Sequence, residues 1–331
     1  MLQLWLSVLI FVLAYVMIII EKLPRAVVAL TGGIATIVLG ILSQEQAVRA
    51  IDFNTIGLLV GMMIITGITR KSGVFEYLAV KSAKLAGGRP AAMLVALSLV
   101  TAVASAFLDN VTTVLLIIPV TFSITDRLGV SPVPFLVAEI MASNIGGTAT
   151  LIGDPPNIMI GSATHFGFLD FLTNLAVPVS IVLVATIAVL AWFFRKDLIA
   201  EDSNIHMVLD LNERELIKEW SLLKKSLTVL ALTILGFVFH QALNLESATI
   251  ALLGAALVLV VTREDLEEAL LAVEWPTVFF FVGLFIIVGG LKATGVVTLV
   301  AKTILSATGG NLVGTGLLVV WVGGILWGFV D

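Results

Sequence analysis

Two short polar segments interrupt the most apolar parts of this chain. Residues 105–113 (SAFLDNVTT) place Asp109 beside Asn110 in a run of aliphatic residues, and residues 144–157 (NIGGTATLIGDPPN) combine glycines, prolines, asparagines and an aspartate. Carboxylate, amide and backbone carbonyl oxygens coordinate small cations, and helix ends that point inward can hold an anion. The two segments therefore predict a binding site for an ion or another small charged molecule.

The candidate binding residues all lie in these two segments. Asp109 and Asp154 are the predicted titratable or cation-binding carboxylates, and Asn110, Thr112 and Asn157 are predicted to supply neutral oxygens. No residue is predicted to be catalytic. The full candidate set is Asp109, Asn110, Thr112, Thr113, Asn144, Gly146, Gly147, Thr148, Asp154, Pro155, Pro156 and Asn157.

Other interpretations of these residues stay open from the sequence. Asp109 could lie in a loop beyond the membrane surface and only cap the helix that follows it. The glycine- and proline-rich segment could be an extramembrane loop between two short apolar pieces. Glu139, five residues before Asn144, could relay protons or could pair with another side chain in a helix bundle. His165, His206 and His240 have no metal-ligand spacing, which predicts no histidine metal site.

The elements that carry these segments are predicted to be membrane helices. The 331 residues are 59% hydrophobic and only 12% charged, far from the composition of a soluble domain. Several windows without charge approach the roughly 20 residues that span a bilayer, namely 4–20, 26–42, 54–69, 175–194 and 226–243. Cysteine is absent, which excludes disulfides and thiol catalysis. The predicted fold class is an all-α polytopic membrane protein.

The polar segments predict interruptions of these helices. A carboxylate facing lipid costs about 2.5–3.5 kcal/mol at the bilayer centre, so Asp109 should face protein or a water-filled cavity. Two helices meeting at the polar tip Asp109-Asn110 explain residues 90–125 better than one overlong helix. The adjacent Pro155 and Pro156 lack amide donors, and the glycines before them favour unwinding. The sequence therefore predicts a re-entrant hairpin at about 90–125 and a broken helix at about 135–160.

The chain contains an internal duplication. Residues 51–74 align with residues 273–296 at an offset of 222, and eight of these 24 positions are identical. At the same offset Gly87-Gly88 meets Gly309-Gly310, and Asp109 meets Asp331. The predicted domains are a first repeat at 1–194, a charged linker at 195–225, and a second repeat at 226–331 that ends at its own tip aspartate. The second repeat is expected to be incomplete, as in a fragment.

The distribution of basic residues predicts the orientation in the membrane. If residues 4–20 run from outside to inside, 15 of the 18 lysines and arginines fall on the inner side, which matches the positive-inside rule. The N-terminus is then outside and the linker is cytoplasmic, in a multi-pass protein of the cell membrane. Five spans precede the linker, so the second repeat enters the membrane with opposite polarity. Inverted repeats of this kind are typical of secondary transporters.

The stretches FLDNVTTVLLIIPVT (107–121) and AEIMASNIGGTATLIGDPPNIMIGSA (138–163) resemble the ion transporter superfamily. Within it they resemble the branch that contains arsenical pump membrane proteins, P proteins and D-type sodium/proton antiporters, with a citrate transporter-like domain. The resemblance implies an elevator-type transporter with re-entrant hairpins, broken helices and a homodimer interface. It also implies a sodium site near Asn110 and the glycine-rich carbonyls at Gly147.

One departure from the superfamily pattern bears on the substrate. Dicarboxylate carriers of the superfamily show Ser-Asn-Thr at the hairpin tip, whereas this chain has Asp109-Asn110-Val111, which favours cation or proton exchange over citrate or succinate. The predicted function is secondary transport of an inorganic ion or small anion such as arsenite, coupled to sodium or protons and needing no other cofactor. A sodium/proton antiporter and a non-transporting truncated membrane protein are the alternatives. Nucleic acid is not a predicted partner, and the Gly-x-Gly-Asp signature of an intramembrane aspartyl protease is absent, so no enzyme is predicted.

Overall fold

The computed structural model describes residues 1–200 and 202–327, so the predicted counterpart of Asp109, Asp331, lies outside the described residues. Within them the chain forms 17 α-helices, one short 3-10 helix and no strand. Six described helices are long and apolar enough to cross a membrane, including the N-terminal helix and the helix that follows Asp109. The predicted all-α polytopic membrane fold is confirmed.

The described helices follow one another with short connections. They are α1 (Leu2–Ile20), α2 (Arg25–Val38), α3 (Gln44–Ala50), α4 (Phe53–Lys71), α5 (Val74–Leu85), α6 (Pro90–Ser105), α7 (Asn110–Leu128), α8 (Val133–Gly147), α9 (Pro155–Thr164), α10 (Phe168–Phe193), α11 (Asp202–Leu209), the 3-10 helix (Glu213–Leu216), α12 (Trp220–Phe239), α13 (Ser247–Thr262), α14 (Leu266–Leu271), α15 (Trp275–Ala293), α16 (Val296–Ala307) and α17 (Leu312–Trp327).

Glycine and capping residues explain why some helices begin or end at other residues than the uncharged windows do. The window 26–42 becomes α2, which ends at Val38, because Gly40 adopts a left-handed conformation with φ of 70°. Ser43 then starts the short α3 with a capping box to Gln46, an element that the hydropathy pattern alone does not reveal. Asn212 starts a helix as expected, but this helix is a single 3-10 turn.

The chain divides into two compact units. One contains residues 1–56 and the described residues from 274 onward, and in it α15 packs along α2. The other contains the described residues of 57–273, including both polar segments. One apolar cluster of this unit joins α6, α7 and α8 through side chains that include Leu97, Ile117 and Phe135. These units do not coincide with the predicted repeats, since each contains helices from both halves of the sequence.

Helix bounds recur along the chain at the offset of the duplication. Three pairs, α4 with α15, α5 with α16 and α6 with α17, are displaced by 222 residues at both ends. Glycines at equivalent places adopt the same left-handed backbone, as Gly73 with φ of 81° and Gly295 with φ of 83° show. The two halves therefore build the same succession of helices.

The same kind of helix contact occurs in both units. In one unit a helix of the first half supplies the glycine and a helix of the second half supplies the alanine, and in the other unit these roles are reversed. In one unit, a methyl group on Gly61 of α4 would lie 2.6 Å from the carbonyl carbon of Ala251 in α13. In the other unit, a methyl group on Gly283 of α15 would lie 2.5 Å from the carbonyl oxygen of Ala29 in α2. Gly67 against Ala272 and Gly289 against Ala50 form a second exchanged pair. Each half thus packs its central helix against a helix of the other half.

The charged segment between the halves is docked rather than extended. Lys84 of α5 donates hydrogen bonds to Glu213 at 2.7 Å and to the carbonyl oxygen of Leu211 at 2.8 Å. The amide of Lys218 donates to the carbonyl oxygen of Ser72 at 3.0 Å. These bonds hold the 3-10 turn against α5, which leads into the helices of the first polar segment.

Candidate functional site

The first polar segment is the tip between two packed helices. Helix α6 ends at Ser105 and α7 begins at Asn110, with Asp109 as its N-cap. The Asp109 carboxylate accepts a hydrogen bond from the Thr112 amide at 2.9 Å, and its carbonyl oxygen accepts one from the Thr113 hydroxyl at 2.9 Å. Two helices therefore meet at Asp109, and the capping role considered for this residue is present as well. That these helices form a re-entrant hairpin in the membrane stays a prediction.

The second polar segment separates two helices that would otherwise be one. Helix α8 ends at Gly147 and α9 begins at Pro155, and residues 150–154 between them are not helical. The Asn157 amide group donates to the carbonyl oxygens of Thr148 at 3.0 Å and Thr150 at 2.8 Å. These two bonds hold the unwound backbone, which a buried loop requires because each unpaired carbonyl is costly. The chain is therefore interrupted where the sequence predicts a break, and the role of α8 and α9 as one broken membrane helix stays a prediction.

The structure brings the two polar segments into direct contact. The Asn110 side-chain amide donates to the Asn144 side-chain oxygen at 2.9 Å. Below this pair, the Ser143 hydroxyl donates to the Asn110 carbonyl oxygen at 2.8 Å, and the Ser105 hydroxyl donates to the Ser143 carbonyl oxygen at 2.8 Å. The Thr150 hydroxyl also donates to the carbonyl oxygen of Ala106. The hairpin tip and the broken helix therefore form a single hydrogen-bonded unit.

Glycines make this close approach sterically feasible. A methyl group on Gly147 would lie 2.7 Å from the Gly153 carbonyl oxygen and 3.3 Å from the Ser105 hydroxyl oxygen. Gly146 lies against the backbone of Ala102, where a side chain would overlap the neighbouring helix. Real Cβ atoms do not approach other atoms so closely, so these positions require glycine for packing between α6 and α8.

Burial divides the predicted residues into two groups. Asn144 and Thr148 are exposed, and a further group is half-buried: Asp109, Asn110, Thr112, Asp154, Pro155 and Pro156. Thr113, Gly146, Gly147 and Asn157 are buried and hold the backbone in place. The open surface of the site is therefore lined by carboxylate, amide and hydroxyl groups, and the buried residues position it. The role of each residue as a ligand remains a prediction.

The two charged side chains of the site lie at the N-terminal ends of helices. Asp109 is the N-cap of α7 and Asp154 is the N-cap of α9, so each start that could attract an anion already carries a carboxylate. Among the described residues, no group of three or more histidines, aspartates or glutamates is arranged to hold a metal ion. The arrangement suits a small ion bound by one carboxylate with neutral amide, hydroxyl and carbonyl oxygens.

Sequence reasoning missed the residues that join the two segments. Ser105 and Ser143 are fully buried, and each bonds to the other helix, yet neither belonged to the candidate set. Small hydroxyl residues inside apolar helices are a known signal of helix contacts in membranes, and this signal could have identified both. Glu139 is fully buried, and the only side-chain hydrogen bond it makes among the described residues comes from the Thr121 hydroxyl at 2.6 Å.

Comparison with known proteins agrees with this geometry. Residues 15–331 match the family described as citrate transporter. An uncharacterized transporter of Mycobacterium tuberculosis is 46% identical over 98% of this chain and 76% of its own length. The 46 kDa membrane protein of Mycobacterium leprae is 40% identical over 98% of this chain and 77% of its own length. The human P protein is 30% identical over 96% of this chain and 48% of its own length, as the resemblance of the two motifs predicts. The chain therefore belongs to the citrate transporter family of membrane transport proteins.

Proposed function

We propose that this protein is a secondary active transporter that moves an inorganic ion or small anion across the membrane, coupled to sodium or protons. The observation that carries this proposal is the bond between Asn110 at the hairpin tip and Asn144 at the end of α8. It places a polar, partly open surface between interrupted helices that are otherwise largely apolar. Interrupted helices supply ion ligands in transporters because their ends leave backbone groups free of intrahelical partners.

The repeated architecture supports a transporter that works by alternating access. Contacts such as Gly61 with Ala251 and Gly283 with Ala29 recur with the halves exchanged. A twofold relation between inverted repeats produces this exchange, and inverted repeats are a common plan of secondary transporters. We further propose the elevator-type mechanism, the homodimer, the outer N-terminus and the cytoplasmic linker that the motifs and charge distribution imply.

The charge of the tip favours a small ion over citrate, although the family description names citrate. Asp109 and Asp154 are both acidic and half-buried, and a tricarboxylate bound beside them would meet like charges. Like-charge contacts in a partly desolvated site are costly, whereas a cation there gains from a nearby carboxylate. A coupling cation at Asn110 and the carbonyls near Gly147 could also offset the charge of a bound anion.

A sodium/proton antiporter is the second candidate. It is favoured by the carboxylates at the starts of α7 and α9 and by the buried Glu139, which together offer three titratable groups in this unit. In this case sodium is the substrate and the proton is the coupling ion. The two candidates differ in whether an anion moves.

Transport by purified protein in liposomes tests the proposal. Sodium/proton exchange is followed with a pH-sensitive dye, and radiolabelled arsenite and citrate are tested as anions under an imposed sodium or pH gradient. We expect at least one gradient to drive sodium/proton exchange or arsenite movement, with little movement of citrate. Fluxes equal to those of protein-free liposomes for every probe and gradient would contradict the proposal. Sodium/proton exchange without anion movement would select the antiporter.

A further inference from the structure

Glu139 is an isolated acid in the core of the unit that carries the candidate site. It lies on α8 with no exposed surface, and its Oε1 accepts the Thr121 hydroxyl of α7 at 2.6 Å. Its Oε2 is equally buried and has no hydrogen-bond partner among the described residues. An ionisable side chain at such depth in a membrane protein is rare and is usually functional.

No neighbouring charge compensates this acid. Helices α6, α7 and α10 pack against α8, and α6 contains no ionisable residue. On α7, Asp126 and Arg127 are exposed, and Asp109 binds the Thr112 amide. On α10, Asp170 accepts hydrogen bonds from the Gly167 amide and from Gln241. None of these groups bonds to Glu139 in the described structure, so a negative charge on it would be buried without a counterion.

A proton fits this place better than a metal cation. A cation such as sodium needs several oxygen ligands, but Thr121 is the only described group that bonds to the carboxyl group of Glu139. The Thr121 hydroxyl also directs its hydrogen toward Oε1, away from the role of a cation ligand. A proton needs only one oxygen, and Oε2 is available for it.

The same two helices carry this acid and the tip contact. Glu139 and Asn144 both lie on α8, and their partners Thr121 and Asn110 both lie on α7. A movement of α7 against α8 that changes the ion site at the tip therefore also changes the surroundings of Glu139. This arrangement can link proton binding at one place to ion binding at the other.

We propose that Glu139 carries the coupling proton of the transport cycle, and that the conformation described here is the one in which this proton is shielded from water. Oε2 takes the proton from water on one side of the membrane, forming an O–H bond. When the contact between α7 and α8 loosens toward the other side, that bond breaks and the proton returns to water. Thr121 is a positioning residue that holds Oε1. This inference rests on the proposed transport function.

Infrared spectroscopy tests proton binding without any transported substrate. In the purified protein in lipid, a buried protonated carboxyl group gives a C=O stretching band that shifts in heavy water. We expect this band in the wild type and its loss in Glu139→Gln, which keeps an oxygen for the Thr121 hydroxyl. Glu76→Gln is the matched control, because Glu76 of α5 also has a buried oxygen without a partner in the described structure. A band unchanged in Glu139→Gln would overturn the proposal.

Transport tests the coupling itself. With sodium and arsenite as probes in liposomes, we expect the acceleration by a pH gradient to vanish in Glu139→Gln and to remain in Glu76→Gln. Thr121→Val should shift the pH dependence of transport, and Thr121→Ser should restore that of the wild type. These two variants also test the proposal if Glu139→Gln does not fold. If transport driven by a pH gradient is unchanged in Glu139→Gln, the proposal for Glu139 is overturned. The proposed transport function would still stand. Absence of all transport in the wild type would instead contradict the proposed function, and the infrared band would still report on the proton.

Discussion

Gly61 of α4 lies directly against the backbone of Ala251 in α13, and a methyl group on Gly61 would come within 2.6 Å of the Ala251 carbonyl carbon. The equivalent residues, Gly283 and Ala29, repeat this contact with the halves of the chain exchanged. In membranes, helix association relies on such close backbone approach because lipid is as apolar as the helix surface. The contact between small residues is therefore a major stabilising feature of both compact units.

Gly61→Ala tests the close approach. The added methyl group overlaps the Ala251 backbone, so we expect a loss of about 1–3 kcal/mol in the free energy of unfolding. Thermal unfolding of the purified protein in detergent measures it. Gly316→Ala is the matched control, because no atom lies within 4 Å of the added methyl group and alanine favours helix. Equal stability of both variants would show that the contact at Gly61 is looser than described.

Asp109→Asn tests the charge of the hairpin tip. Asparagine caps a helix about as well as aspartate, so the start of α7 and the thermal stability should be preserved. We expect transport driven by a sodium or pH gradient to be abolished in liposomes, because the tip loses its carboxylate. Asp126→Asn, near the other end of the same helix and exposed, should transport as the wild type does. Unchanged coupled transport in Asp109→Asn would remove this residue from the site.

Ser143→Ala tests the bond between the broken helix and the hairpin tip. The variant loses the hydrogen bond from the Ser143 hydroxyl to the Asn110 carbonyl oxygen, and the loss of one such bond typically costs about 0.5–1.5 kcal/mol. We expect a lower unfolding temperature together with weaker transport. Ser98→Ala is a sharp contrast, because the buried Ser98 hydroxyl has no partner in the described structure. Its removal should leave stability unchanged or raise it, and a loss as large as that of Ser143→Ala would contradict the assignment.

The docked linker should depend on pH through Glu213. The hydrogen bond from the Lys84 ammonium group lowers the pKa of Glu213 below its ordinary value of 4.5. A carboxyl group with a lowered pKa contributes stability that is present above its ordinary value and is lost as the pH falls through the lowered one. We therefore expect proteolysis of the linker to accelerate in the acidic range below 4.5.

Glu213→Gln isolates this effect. The variant should show rapid linker proteolysis at neutral pH and little further change on acidification. Glu215→Gln is its control, because Glu215 bonds only to the nearby Asn212 and should retain the pH dependence of the wild type. A wild-type linker that is cleaved at the same rate at acidic and neutral pH would argue against the Lys84 contact.

Much of the candidate site could be predicted from local sequence. Asp109 caps α7 where the polar pair interrupts the apolar run, and α9 begins at Pro155 as the missing amide donors require. The offset of 222 residues in the sequence reappears in the helix bounds. The contact between Asn110 and Asn144 could not be predicted, because it joins side chains 34 residues apart whose distance depends on how α7 packs against α8.

The sequence by itself determined that this is a membrane protein of many helices, where its helices break, and which polar residues the breaks contain, since apolar runs, glycine, proline and capping residues act locally. It also identified the superfamily. Only the tertiary structure decided that Ser105 and Ser143 join the polar segments, that Glu139 is buried with Thr121 as its described partner, and that the repeats exchange partners at Gly61 and Gly283. These features arise from packing between distant helices, which depends on side-chain shape rather than on the periodicity of any one segment.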